Sequence, residues 1–534
     1  MCRPDPFLSG PILAAVQAAS IFPDCKTFVD LSLLVPPAEC WRRWEELSQP
    51  PSEEQLRRFV ASVFSAEPGE GQLEPWWPED HQPAPALLSR LPAGAVREWA
   101  SAVNGLWPLL GRRLSAEAAR RPDRHTLLEL SHGVIVPGGR FREAYYWDSY
   151  WVVLGLLAVD MDATARGLVS NLLECVARHG FVPNGLRKYY LNRSQPPLLT
   201  QMALPALDAE YGWWMRTGDG RSAVRLEADG ALLNRYVVAA SAPRPAEPPE
   251  SWREDEATAA GLPPAAQARA WSELAACAES GWDFSSRFLG GELGGEGGGE
   301  GCGKAEEEPL RSLRTAAVLP VELNAILLRN ELTLQRLHAR LALLLARQAG
   351  EAMDEWMWSG ETGRWHDVEW EGRGQLQQVS AASFTPLWAC QHSAEREAAA
   401  VQSLRRSGLV QEGGVATTLW DWPNAWPPLQ QMLVEGLAGC EADGAAELAE
   451  DLALRWLRSN HRGWARDGVM REKYDATRPG ESGGGGEYTP QVGFGWTNGV
   501  ALWLLERYGD SFARSLTAPA SSEKCTAIGD GGSQ

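Results

Sequence analysis

Apolar residues recur at helical spacing along most of this chain, while the alternation that marks half-buried strands is scarce. Within 163–179 the sets Leu168/Leu172/Val176 and Val169/Leu173 fall four residues apart, and Gly180 stands where a left-handed glycine would close a helix. Residues 321–357 form a second long stretch, rich in Leu and Arg, which Pro320 would start or kink. Residues 445–458 repeat the pattern through Leu448, Leu452 and Trp456, with Asp443 as the expected N-cap. Helices also fit 52–64, 394–406 and 497–508. The expected fold class is therefore all-α, with long loops joining the helices.

Of the 534 residues, 44% are hydrophobic and 22% charged, enough for a large core and unlike a disordered chain. A formal net charge of −19 argues against nucleic acid or an anionic membrane surface as partner, since both need a basic footprint. The longest apolar run, 151–159, is about half of the ~20 residues that span a bilayer. The start, Met1-Cys2-Arg3-Pro4-Asp5, lacks the apolar stretch of a secretory signal, which favours a cytoplasmic over a secreted protein. Nine scattered cysteines without a CxxC pair read as free buried thiols, and eight histidines show no HExxH or other close ligand spacing. No metal and no cofactor are expected. WD dipeptides end at Asp148, Asp283 and Asp421, about 135 to 138 residues apart, whereas propeller blades repeat every ~40–45. A propeller is excluded.

Four loops between the helical stretches share glycine, aromatics, arginine or amide, and a carboxylate. They run from Pro137 to Tyr150, Pro183 to Pro197, Glu279 to Arg287, and Glu472 through a glycine run to Asn498. Arg and Asn/Gln forks hydrogen-bond vicinal hydroxyls, aromatic rings stack on a sugar face, and paired carboxyls do proton work. The 25 tryptophans fit that use, although any single one is more often core filler. Composition alone leaves two readings open: a carbohydrate site, or surface salt-bridge loops with packed aromatics. The run Gly483–Gly486 lacks the Lys-Ser/Thr of a phosphate-binding loop.

The loops also resemble a known family. PGGRFREAYYWDSY at 137–150 is similar to the first signature of the trehalases, glycoside hydrolase family thirty-seven. In order along the chain come IFPDCKTFVD at 21–30, PNGLRKYYLNRSQPP at 183–197, ESGWDFSSRF at 279–288, LPVELNAILL at 319–328 and ASFTPLW at 382–388. LWDWPNAWPPLQ at 419–430 resembles the second signature, and REKYDA with GGGGEYTPQVGFGWTNGV closes the set. The resemblance covers roughly 10–510. It implies an (α/α)6 barrel, with one catalytic domain over 10–515 after a short extension at 1–9; composition makes the Gly/Glu run at 290–308 a flexible insertion and the polar end at 516–534 a disordered tail. The resemblance also implies hydrolysis of α,α-trehalose by water into two glucoses, with inversion at the attacked carbon.

Carried over position by position, the resemblance puts the general acid on Asp283 and the general base on Glu472. Sugar contacts fall on Arg140, Trp147, Asp148, Asn184, Arg193, Ser194, Gln195, Gly281, Glu250 and Glu487. Outside the motifs, Asp283 would read as a helix N-cap and Glu472 as a partner of Lys473. Glu143 reads equally as a partner of Asp148 or a solvated charge, and His366 as a packed or surface histidine. Two departures stand out. Where the family has an arginine before the glutamate matched by Glu250, this chain has Pro248, and Arg244 lies just upstream as the expected substitute. In the second signature Leu419 replaces a glutamine. These departures leave an alternative: a weakly active or inactive trehalose-binding or regulatory protein that keeps the barrel. Oligomeric state is not legible in the chain.

Overall fold

The structure is a computed structural model. It describes residues 5–202, 214–215, 223–225, 232–244, 251–289, 308–337, 342–370, 374–418, 421–485 and 489–517. The expected Gly/Glu insertion lies outside the described residues up to 307, as does the expected tail from 518 onward. Leu516 and Thr517 instead end the last helix, Gly495–Thr517.

Helix ends follow the local sequence closely. Ser52 accepts from the Gln55 N–H while the Gln55 side chain accepts from the Ser52 N–H, a capping box that starts Glu53–Val63. Asp162–His179 closes on Gly180 at φ 83°, as its pattern predicts. The expected cap at Asp443 is not formed: Ala445–Asp467 is entered through Gly444 at φ 76°, with no side chain capping it. A glycine one position nearer the helix took the left-handed turn that leads in. The expected stretch 321–357 is two helices, Val321–Leu337 and Ala342–Trp356. Strands are two to four residues long, the largest group being the antiparallel set Leu73–Pro75, Gly111–Leu114 and Val134–Ile135.

Six helical segments close a ring. Tyr146–Ala158 packs on Leu199–Met202, which packs on Val321–Leu337, then Pro386–Ala389, Pro427–Gly439 and Gly495–Thr517, and the last returns to the first. Outer helices back them, with Asp162–His179 on Tyr146–Ala158 and Ala445–Asp467 on both Pro427–Gly439 and Gly495–Thr517. The ring closes on two glycines. A Cβ on Gly155 would stand 2.4 Å from the Gly499 Cα, and one on Gly499 would stand 1.9 Å from the Trp151 carbonyl oxygen. Only bare backbones approach this closely. This is the (α/α)6 barrel.

One large core fills the barrel, and a second lies beside it. The second core takes Phe7, Ile12, Phe28, Trp44, Phe59 and Phe64 from the N-terminal segment. From the barrel side it takes Tyr145, Tyr189, Tyr190 and Trp252. Phe28 and Phe64 meet edge to face at 4.9 Å. Burying one such ring stabilises the segment by about 1.5–3 kcal/mol.

Candidate active site

The four sequence loops converge on one cavity of about 220 Å³. It is lined by Arg140, Trp147, Asp148, Asn184, Gln195, Gly281, Asp283 and Glu472, eight of the residues singled out in the sequence.

The first loop runs straight into Tyr146–Ala158, so Trp147 and Asp148 occupy its first turn. The Tyr146 N–H donates to the Asn184 carbonyl at 3.0 Å and the Trp147 N–H to the Gln195 side-chain oxygen at 3.0 Å, stitching the first loop to the second. Asp148 is buried at the helix N-terminus, where the backbone favours negative charge. Burial wins, and with the charge of nearby Glu472 it pushes the Asp148 carboxyl up to about 8.

In the second loop the Arg193 Nε donates to Asn184 Oδ1 at 3.1 Å, and its guanidinium stacks over the Tyr190 ring at 4.9 Å. Arg193 and Ser194 lie behind the cavity wall rather than on it. The Ser194 hydroxyl donates to the Val182 carbonyl at 2.6 Å, and the Ser194 N–H to Glu279 Oε1 at 2.9 Å. Glu279 thereby ties the second loop to the third. Burial raises its carboxyl to about 7.

The third loop begins where Pro264–Ser280 ends on Gly281, which is left-handed at φ 72°. A Cβ there would lie 2.6 Å from the Trp147 indole, so both conformation and space require glycine. Asp283 follows. It caps no helix, since Ser285 N-caps the next short turn, Ser286–Phe288. Its exposed surface faces the cavity, and the surrounding protein raises its carboxyl by desolvation, against the opposing charge of Arg244. Arg287 anchors the loop, at 2.6 Å from Glu322, 2.7 Å from Asp367 and stacked over Trp282 at 4.5 Å.

On the fourth loop Glu472 is buried, and its Oε2 accepts the Gln491 N–H at 2.8 Å. The Glu472 N–H donates to the Gln491 carbonyl at 2.9 Å, and Trp496 Nε1 donates to the Glu472 carbonyl at 2.9 Å. Lys473 turns instead to Trp426, 4.6 Å from its ring, and donates to the Gly485 carbonyl at 3.2 Å. Burial lowers its ammonium pKa although Asp421, Glu472 and Asp283 all lie near enough to raise it.

Arg244 is buried in a fork with Asp255, its N–H at 2.7 Å and its guanidinium at 2.8 Å. It stacks over the cavity residue Phe284 at 5.0 Å but does not line the cavity itself. Glu250 and Glu487 lie outside the described residues. Glu143 is no solvated charge: it is fully buried and paired with Lys26 and Arg187, because three barrel tyrosines and the N-terminal segment enclose it. His366 is packed, with its ring nitrogens at 2.7 Å from Thr362 and 2.9 Å from the Leu376 carbonyl.

Sequence reasoning missed Lys26, Asp421, Trp426, Lys473 and Trp496 as cavity residues. Asp421 accepts from Trp426 Nε1 at 2.5 Å and from Asn424 at 2.8 Å, and Asn424 in turn holds the Gly484 carbonyl at 2.7 Å. The signal was present, since all five lie inside the quoted motifs. Among the described residues no group of three or more His, Cys, Asp or Glu could hold a metal ion, and no helix is long and apolar enough to cross a membrane.

A family model described as Trehalase matches residues 20–509. The trehalase of Homo sapiens is 38% identical over 95% of this chain and 90% of its own length. That of Apis mellifera is 37% identical over 95% and 85%, and that of Arabidopsis thaliana 36% identical over 91% and 83%. Among solved structures, neutral trehalase Nth1 from Saccharomyces cerevisiae superposes with a TM-score of 0.57 over 72% of this chain and 75% of that one, at 24% identity, a likeness of fold. With a match of this extent and a cavity built from the four loops, the chain belongs to the trehalase family.

Proposed function

We propose that this cavity hydrolyses α,α-trehalose in a single inverting displacement, with Asp283 as general acid and Glu472 as general base. Cleavage of trehalose into two glucoses by a glycoside hydrolase follows from the family itself. The observation that carries the division of roles is the contrast between the two carboxyls. Desolvation raises Asp283 and so favours the protonated form that can hand a proton to the glycosidic oxygen. Glu472 receives a backbone N–H on Oε2, a bond that favours the ionised form able to take a proton from water. An inverting pair stands roughly 6.5–9.5 Å apart, leaving room for that water.

Asp148 lines the same cavity, near Glu472. Beside a charged Glu472 a second carboxylate would be costly, and Asp148 keeps its proton up to about pH 8. So protonated, Asp148 can both donate to and accept from a glucose hydroxyl. Arg140, Asn184 and Gln195 supply further hydrogen bonds, Trp147 a stacking face, and Gly281 room for that ring. Arg193 and Ser194 complete the binding set from behind the wall, Glu250 and Glu487 from segments outside the described residues. Arg244, whose charge reaches Asp283, favours the carboxylate left after the acid has given up its proton. The alternative of an inert binding protein finds no support: both carboxyls face one cavity, and the relatives are trehalases.

Purified protein should release two glucoses for each trehalose consumed, at a rate indifferent to phosphate. One glucose with one glucosyl phosphate, or a requirement for phosphate, would overturn hydrolysis.

A further inference from the structure

Lys26, from the motif at 21–30, lines the cavity but has no role in the reaction described so far. Asp24 N-caps the short helix Cys25–Val29 by accepting the Thr27 N–H at 2.6 Å, and the helix directs Lys26 inward. Lys26 is 3% exposed. Its Nζ lies 2.5 Å from Asp30 Oδ2, 2.8 Å from Glu143 Oε1 and 3.1 Å from the Tyr189 hydroxyl, so all three ammonium protons have partners. Facing it, fully buried Arg187 places Nε 2.9 Å from Glu143 Oε2 and 3.2 Å from Asp30 Oδ1, and Nη1 2.9 Å from both Gln72 Oε1 and Thr126 Oγ1. Two cations and two anions balance inside the protein.

From Glu143 the cluster continues to the sugar loop. The Tyr145 hydroxyl donates to Glu143 and shares a 2.9 Å hydrogen bond with the Tyr190 hydroxyl. The other face of this chain is the Tyr190 ring under Arg193, whose Nε holds Asn184. Lys26, Tyr145 and Tyr190 all line the cavity, and both tyrosines also belong to the N-terminal core.

A buried ion cluster is weak ground for stability, because desolvating four charges costs about as much as their attraction returns. Fixed geometry is its better-supported use. We infer that Lys26 is a positioning residue for the trehalose site: through Glu143, Tyr145 and Tyr190 it fixes Arg193 and Asn184, making the N-terminal segment a working part of the active site. The inference rests on the reading that Arg193 and Asn184 serve the sugar.

The test compares steady-state kinetics on trehalose for Lys26→Met, Tyr190→Leu, the double variant and Arg193→Ala, each well below its unfolding temperature. Lys26→Met should raise KM several-fold and lower kcat/KM at least tenfold, since small displacements of positioning groups cost up to about a hundredfold. A merely structural lysine would reduce the folded fraction, and with it kcat, while KM stayed at the wild-type value. The double variant should be no worse than the worse single one, because both act along one path. If Lys26→Met does not fold, Tyr145→Phe removes the hydroxyl link with every charge in place and should show the same rise in KM. Wild-type kcat/KM in folded Lys26→Met or Tyr145→Phe, or losses that multiply in the double variant, would overturn the inference while leaving the site reading intact. Full activity of Arg193→Ala would overturn the site reading, and this inference with it.

Discussion

Asp283→Asn is expected to lose most of its activity on trehalose yet keep far more on α-glucosyl fluoride. Glucose is a poor leaving group until its oxygen is protonated, and an amide has no acidic proton to give. Fluoride departs as a weakly basic anion and needs little such help. The loss on trehalose should be roughly 10²–10⁴-fold, the usual worth of a positioned acid or base. The substitution is nearly isosteric, and the surroundings that raise the Asp283 carboxyl by desolvation accept a neutral amide without strain. Initial rates on the two substrates, with thermal unfolding as a control for folding, provide the check. Equal losses on both would remove Asp283 from the role of acid.

Glu472→Gln should fail on both substrates. Activation of water is needed whichever group departs, and an amide cannot take the proton. The Gln491 N–H, which now donates to Glu472 Oε2 at 2.8 Å, can still donate to the glutamine oxygen, so the loop stays in place and the chemistry is lost. A loss of roughly 10²–10⁴-fold on each substrate is expected, with KM little changed. Preserved turnover of the fluoride by this variant would place the base elsewhere.

Much of this was legible because the physics is local. Apolar spacing through Leu168, Leu172 and Val176 defined a helix that the structure forms to within a residue, and Gly180 closes it. Residues 394–406 likewise form the helix Ala394–Arg406, capped by Ser393 accepting the Arg396 N–H. The four loops were recognisable through their motifs, since their composition alone left a carbohydrate site and surface salt-bridge loops both open. What escaped depended on long-range packing. Nothing near Glu143 in the sequence tells that Lys26, more than a hundred residues earlier, will neutralise it in a buried cluster. The Pro248 departure pointed to Arg244 as the missing arginine, and its charge reaches Asp283 although it does not line the cavity. Its fork on Asp255, however, is a pairing that spacing alone could not disclose. Asp421 and Trp426 were overlooked because a tryptophan–aspartate pair reads equally well as packing; only the cavity separates the two uses.

The central claim, a single displacement between Asp283 and Glu472, fixes the stereochemistry of the products. Water delivered by Glu472 attacks opposite the departing oxygen, so the attacked ring must leave as β-glucose, while the other ring departs with its α configuration intact. Proton NMR of the wild-type reaction, recorded before mutarotation blurs the anomers, should therefore show α- and β-glucose appearing together in equal amounts. α-Glucose alone in the first spectra would mean retention at the attacked carbon, and would contradict the account.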